Sequence, residues 1–98
     1  MKNQIGKKVI VRTDKAGVFF GTLSKKEGNE VQLTNVRKIY YWSGAAAVEQ
    51  LAVDGVANAS NCKFTVINAE VTINNYIQIL TCTEKAINNL ENVKEWKI

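Results

Sequence analysis

The sequence predicts an α+β fold: a small bent antiparallel β-barrel with one inserted helix and a short C-terminal helix, formed as a single domain over residues 1–98. Three observations predict it. Short β-branched and aromatic runs alternate with Gly, Asn and Asp turn signals through the first 42 residues. The pattern then switches at Ser43 to an alanine-rich stretch with helical spacing. Gly21 interrupts the second apolar run, where a missing side chain lets a sheet bend upon itself. A composition of 46% hydrophobic and 22% charged residues supports a packed core and argues against a disordered tail, a fibre or a coiled coil.

Each element follows from local chemistry. Residues 7–13 (KKVIVRT) form a first strand, and Asp14–Gly17 turn the chain into a second, GVFFGTL. A polar turn over residues 25–29 leads to Val31, Leu33 and Val36, which alternate with Gln32 and Thr34 as a third strand. That strand continues or restarts through residues 37–42 (RKIYYW). Ser43 has the hydroxyl of an N-cap, and Val48, Leu51, Ala52 and Val56 are spaced for a helix of about three turns that ends between Gly55 and Asn61. Residues 63–67 (KFTVI) and 71–73 (VTI) read as strand, with Asn74-Asn75 turning into a further strand at 76–80. Thr81 and Glu84 have capping-box spacing ahead of a short helix over 84–91, and residues 93–96 read as a closing strand. Asn88 and Asn89 weaken that helix, so the packing of Ala86, Ile87 and Leu90 must hold it.

Composition also excludes chemistry. The chain has no histidine, which removes a Ser-His-Asp triad, a Cys-His dyad, imidazole-ligated zinc and a histidine pH switch. Glu49, Asp54 and Glu70 are scattered, with no spacing that pairs two carboxylates for acid–base work. Cys62 and Cys82 lie in no CxxC motif and have no companion ligands, so they read as buried thiols rather than a metal or redox site. No catalytic residue, metal site or cofactor is assigned, and the expectation is a binding protein rather than an enzyme. The N-terminus has no apolar stretch of signal length and no run approaches a bilayer span, so a cytoplasmic protein without a membrane partner is expected.

The net charge of +4 is uneven, with +6 over residues 1–42 and −2 over residues 43–98. Such a half attracts phosphate-bearing ligands, RNA or an acidic protein surface, and it serves equally as a solvated surface that maintains solubility. The constellation that bears on binding is residues 37–46 (RKIYYWSGAA). Arg37 and Lys38 supply charge, Tyr40 and Trp42 supply rings on one side of a strand, and Ser43 and Gly44 would offer donors and close backbone approach at a helix start. Arg12, one of only two arginines, adds a planar fork on the first strand. The same residues also read as core aromatics beside an ordinary cap.

Two resemblances extend this reading. Gly21, Leu23, Asn29, Leu33 and Asn35 resemble the "G-x-L, turn, N-x-x-L-x-N" stretch of Sm-like and SH3-like small barrels, which implies an Sm/SH3-like barrel and an RNA-binding module. The stretches YYWSGAAAVEQLAVDGV, NCKF, ILTCTEKA and VKEW are similar to a family of small phage and prophage proteins classed as a domain of unknown function. That resemblance implies a setting in the host bacterial cytoplasm. By analogy with other small phage proteins, the expected role is inhibition of antiviral defence, through sequestering a nucleotide-like signal or docking on a host defence protein. A virion assembly accessory is a third reading. Open sheet edges and the aromatic segment lead to the expectation of a homo-oligomer.

Overall fold

A computed structural model describes residues 3–98, and its elements run in the order β1 (Lys8–Thr13), β2 (Val18–Glu27), β3 (Glu30–Tyr41), α1 (Val48–Asp54), β4 (Lys63–Phe64), β5 (Asn68–Asn74), β6 (Tyr76–Thr81) and α2 (Glu84–Glu91). A single turn of 3-10 helix at Ala59–Asn61 precedes β4. Every ladder is antiparallel, and the six strands form one sheet in the order β4-β3-β2-β1-β6, with β5 also paired to β3. Thus β5 and β6 flank opposite ends of the β3-β2-β1 meander although Asn75 alone separates them in sequence, in the left-handed region at φ 57. The sheet coils into a barrel-like shape that is not closed, because no ladder joins β5 to β6.

The coil originates in two irregularities of the β2–β3 ladder. Phe20 lies opposite Arg37 and Thr22 opposite Thr34, so Gly21 faces the two residues Asn35 and Val36. Asn35 takes up the extra length at φ 47, a conformation that asparagine tolerates. A side chain on Gly21 would come within 3.0 Å of Val36 Cβ and 3.1 Å of Thr34 O, tighter than ordinary van der Waals contact, so glycine eases this close crossing. Beyond Leu23 the bulge reverses, and Ser24 Oγ donates to Gln32 O at 3.0 Å to cover the extra residue.

Alternation divides the core in two. Val9, Val11, Leu23, Val31, Leu33, Val36 and Ile73 fill the concave side of the sheet. Ile10, Phe20, Ile39 and Phe64 face the other way, onto Leu51 and Ala52 of α1 and Ala86 and Leu90 of α2. Strand β1 is therefore buried on both faces, which explains its continuous Val9-Ile10-Val11 run.

Several boundaries differ from the sequence expectation, each for a tertiary reason. Helix α1 has seven residues, with Ala47 as N-cap and no side-chain cap bond, rather than three turns from Ser43. Gly44 at φ 93 interrupts the helical path, and Ser43 and Gly44 use their carbonyls to accept from Asn58 N and Ala57 N. Strand β4 stops at Phe64 because Thr65 folds over β3, its Oγ1 accepting from Lys38 N at 2.9 Å. The same edge of β3 is then taken up by β5, which starts at Asn68 and is longer than the expected 71–73. The turn after β2 is confined to Gly28-Asn29, since Lys25, Lys26 and Glu27 stay in the ladder. Residues 93–96 form no strand beyond a single parallel bridge from Glu95 to Phe64. Helix α2 spans 84–91 as expected, but Thr83, not Thr81, caps it by accepting from Ala86 N at 3.1 Å. Thr81 is instead committed to the ladder opposite Val9.

The weak asparagines of α2 have a use that propensity does not show. Asn89 Oδ1 accepts from Val56 N at 2.8 Å and its Nδ2 donates to Val56 O at 2.9 Å, so one side chain pairs both backbone groups of a buried residue.

Candidate functional site

The basic and aromatic residues of the 37–44 segment lie on β3 and the loop after it, and pleating distributes them over different environments. Arg37 is 3% exposed. It donates from Nε to Thr65 O at 3.3 Å and from Nη1 to Leu90 O at 3.1 Å, with its guanidinium 5.0 Å from the Phe64 ring centre. Desolvation lowers its pKa, with the charge of Glu95 opposing that shift. Leu90 lies at the C-terminal end of α2, where a cation meets the negative end of the helix dipole. Arg37 therefore ties β3 to the segment after β4 and to the last turn of α2.

Lys38 belongs to the opposite face, where its aliphatic stem passes over Gly17. Trp42 is half-buried against the helix-side core and donates from Nε1 to Ala45 O at 3.3 Å. Ser43 N donates to Cys62 Sγ, and Ser43 Oγ accepts from Asn58 Nδ2 at 3.2 Å. The space a phosphate would need beside Gly44 is occupied, since Ala57 N and Asn58 N lie 2.6 Å from where a Cβ would stand. The amide that precedes the N-cap Ala47, Ala46 N, already donates to Gln50 Oε1 at 2.7 Å. Ser43 and Gly44 thus join the chain to itself. Arg12 is exposed on β1 and acts on α1: Glu49 is held below the usual carboxylate range by its backbone hydrogen bond first, then by Gln78, with Arg12 contributing less.

Tyr40 alone of the expected set presents its ring to solvent, at 59% exposure, and it has a partner remote in sequence. Its ring stacks on Trp96 with centroids 5.1 Å apart and planes 17° from parallel. Lys63 Nζ stands 5.3 Å from the centre of the Trp96 ring. Trp96 is itself 47% exposed, anchored by its backbone N–H to Phe64 O at 2.8 Å. Tyr41, opposite Lys63 across the β3–β4 ladder, and Val66 and Ile67 in the next loop are also exposed. The result is an outward-facing stacked aromatic pair with a cation over it, which can receive a further flat π-system or the apolar side chains of a partner. Trp96 escapes sequence reasoning because contacts of the C-terminal segment with Phe64 and Ile67 bring it beside Tyr40, and Lys63 because the β3–β4 ladder sets it opposite Tyr41.

Among the described residues no group of three acidic or cysteine side chains is placed to hold a metal, and no helix is long and apolar enough to cross a membrane. No curated protein and no solved structure matches the chain. A family model described as "Domain of unknown function (DUF6948)" matches residues 6–90, and the chain belongs to that family.

Proposed function

We propose that this member of a family without an assigned activity is a non-enzymatic binding protein that holds a nucleotide-like ligand on the Tyr40–Trp96 face. The observation that carries this reading is the exposed, nearly parallel ring pair with Lys63 beside it. A base stacks on such a platform and the ammonium supplies charge for its phosphate. Stacking on an aromatic contributes roughly 1–3 kcal/mol per base. In the setting of a phage-encoded inhibitor, a stoichiometric sponge for a nucleotide signal would blunt host antiviral defence in this way.

Calorimetry against cyclic and ADP-ribose-type nucleotides and a short single-stranded RNA tests the proposal. At least one should bind, and Trp96→Ala or Tyr40→Ala should weaken it about tenfold or more, since 1.4 kcal/mol is a factor of ten. Silence across the panel, or unchanged affinity in both variants, refutes it. RNA binding that weakens steeply with salt would identify the ligand as a polyanion. Docking on a host defence protein is favoured by one further observation, the exposed Tyr41, Val66 and Ile67 beside the pair, because aromatic and apolar anchors dominate protein interfaces.

A further inference from the structure

We propose a second site: a cavity on the helix side of the sheet that binds a small anion of the phosphate or carboxylate class between Arg37 and Lys8. The cavity has a volume of about 270 Å³ and is lined by Lys8, Phe20, Asn35, Arg37, Ile67 and Glu91. Arg37 is 97% buried, and while Nε and Nη1 donate to carbonyls, Nη2 has no hydrogen-bond partner among the described residues. A buried guanidinium donor without a partner is rare in a folded protein, because its lost hydration is not replaced.

Charge points the same way. Of the three ionisable groups lining the cavity, Lys8 Nζ pairs with Glu91 at 3.1 Å, and Arg37 has no ion pair among the described residues. Glu95 also acts on Arg37, but its carboxylate accepts from Ile67 N at 3.1 Å and lies 3.7 Å from Lys97 Nζ. A bound anion would supply the missing acceptor to Arg37 and take Lys8 from Glu91, with the buried Phe20 ring as an apolar wall. Size limits the ligand. The volume of about 270 Å³ accommodates a single phosphate or carboxylate group together with several waters, at about 30 Å³ per water. The negative end of α2 at Leu90 offsets part of the guanidinium charge and so weakens the hold on an anion.

The test is titration of the full chain with inorganic phosphate, acetate and chloride at matched ionic strength, followed by thermal unfolding and, for phosphate, by 31P NMR. Phosphate or acetate should stabilise the protein saturably beyond chloride, and the stronger of the two identifies the ligand class. Because Arg37 also holds two carbonyls, the variants are placed on its partly exposed neighbours. Lys8→Met should weaken binding about tenfold, and Glu91→Gln should strengthen it several-fold by removing the competing carboxylate. Stabilisation no greater than that by chloride, or affinity unchanged in both variants, overturns the proposal.

Discussion

Replacing Gly44 with alanine distinguishes a backbone donor held open for a ligand from a hinge closed by the chain itself. Gly44 lies at φ 93, where a side chain costs about 1–2 kcal/mol. The added Cβ would stand 2.6 Å from both Ala57 N and Asn58 N, backbone atoms that cannot rotate away. Relief requires separating two segments joined by the Ala57 N to Gly44 O bond at 3.1 Å and the Asn58 N to Ser43 O bond at 3.3 Å. Each such bond contributes about 1 kcal/mol. The expected loss is about 3–4 kcal/mol, and in a domain of this size each kcal/mol lowers the melting temperature by roughly 4–8 °C. Urea unfolding should show the midpoint falling with an unchanged slope. Gly28→Ala is the control, since its φ of 57 carries a similar backbone cost but nothing lies within 4 Å of the added carbon. If Gly44→Ala costs no more than Gly28→Ala, the junction is open and its assignment as a self-contained joint is wrong.

Cys82 gives a prediction in pH. Burial pushes its thiol up from 9.0 to about 12, against a smaller opposing effect of Lys8. Between those two values the unfolded chain releases the proton and the folded chain keeps it, so stability should fall as pH rises above 9, by at most about 1.4 kcal/mol per unit. Cys82→Ala should flatten that slope in unfolding measured across pH, and a slope that persists refutes the assignment. In the folded protein a thiol reagent should modify the half-buried Cys62 well before Cys82; equal rates would show that Cys82 is not sealed. Asn89→Ala improves helix propensity by a few tenths of a kcal/mol, yet it unpairs the N–H and C=O of buried Val56. We expect a net loss of about 2 kcal/mol in chemical denaturation, whereas stabilisation would mean that propensity outweighs the bridge.

Much of the fold was legible because its signals are local. Val9-Ile10-Val11, the Asp14–Gly17 turn, the presence if not the bounds of a turn after β2, and the 84–91 helix each depend on residues within a few positions of one another. The errors arose where contacts distant in sequence overrode a good local signal. Ser43 is the better N-cap by its hydroxyl, yet the helix starts after Ala47, and the partners that decided, Ala57 and Asn58, lie more than ten residues on. Thr81 and Thr83 could each cap α2, and the β1–β6 ladder claimed Thr81. In the candidate site Tyr40 was legible as an aromatic on a strand, but its stacking partner comes from the C-terminal segment. Arg37 read as a binding cation because it stands beside Lys38 in a basic half of the chain, whereas Phe64 and the end of α2 cover it.

By itself, the amino-acid order determined the fold class, the approximate places of most strands and of both helices, and the loss of every chemistry that requires histidine. Those features follow from side-chain periodicity, turn chemistry and composition, which are properties of short stretches. Only the tertiary structure decided which of the residues from 37 to 44 face solvent, what covers Arg37 and which ring meets Tyr40, because those outcomes depend on contacts between segments that the barrel brings together.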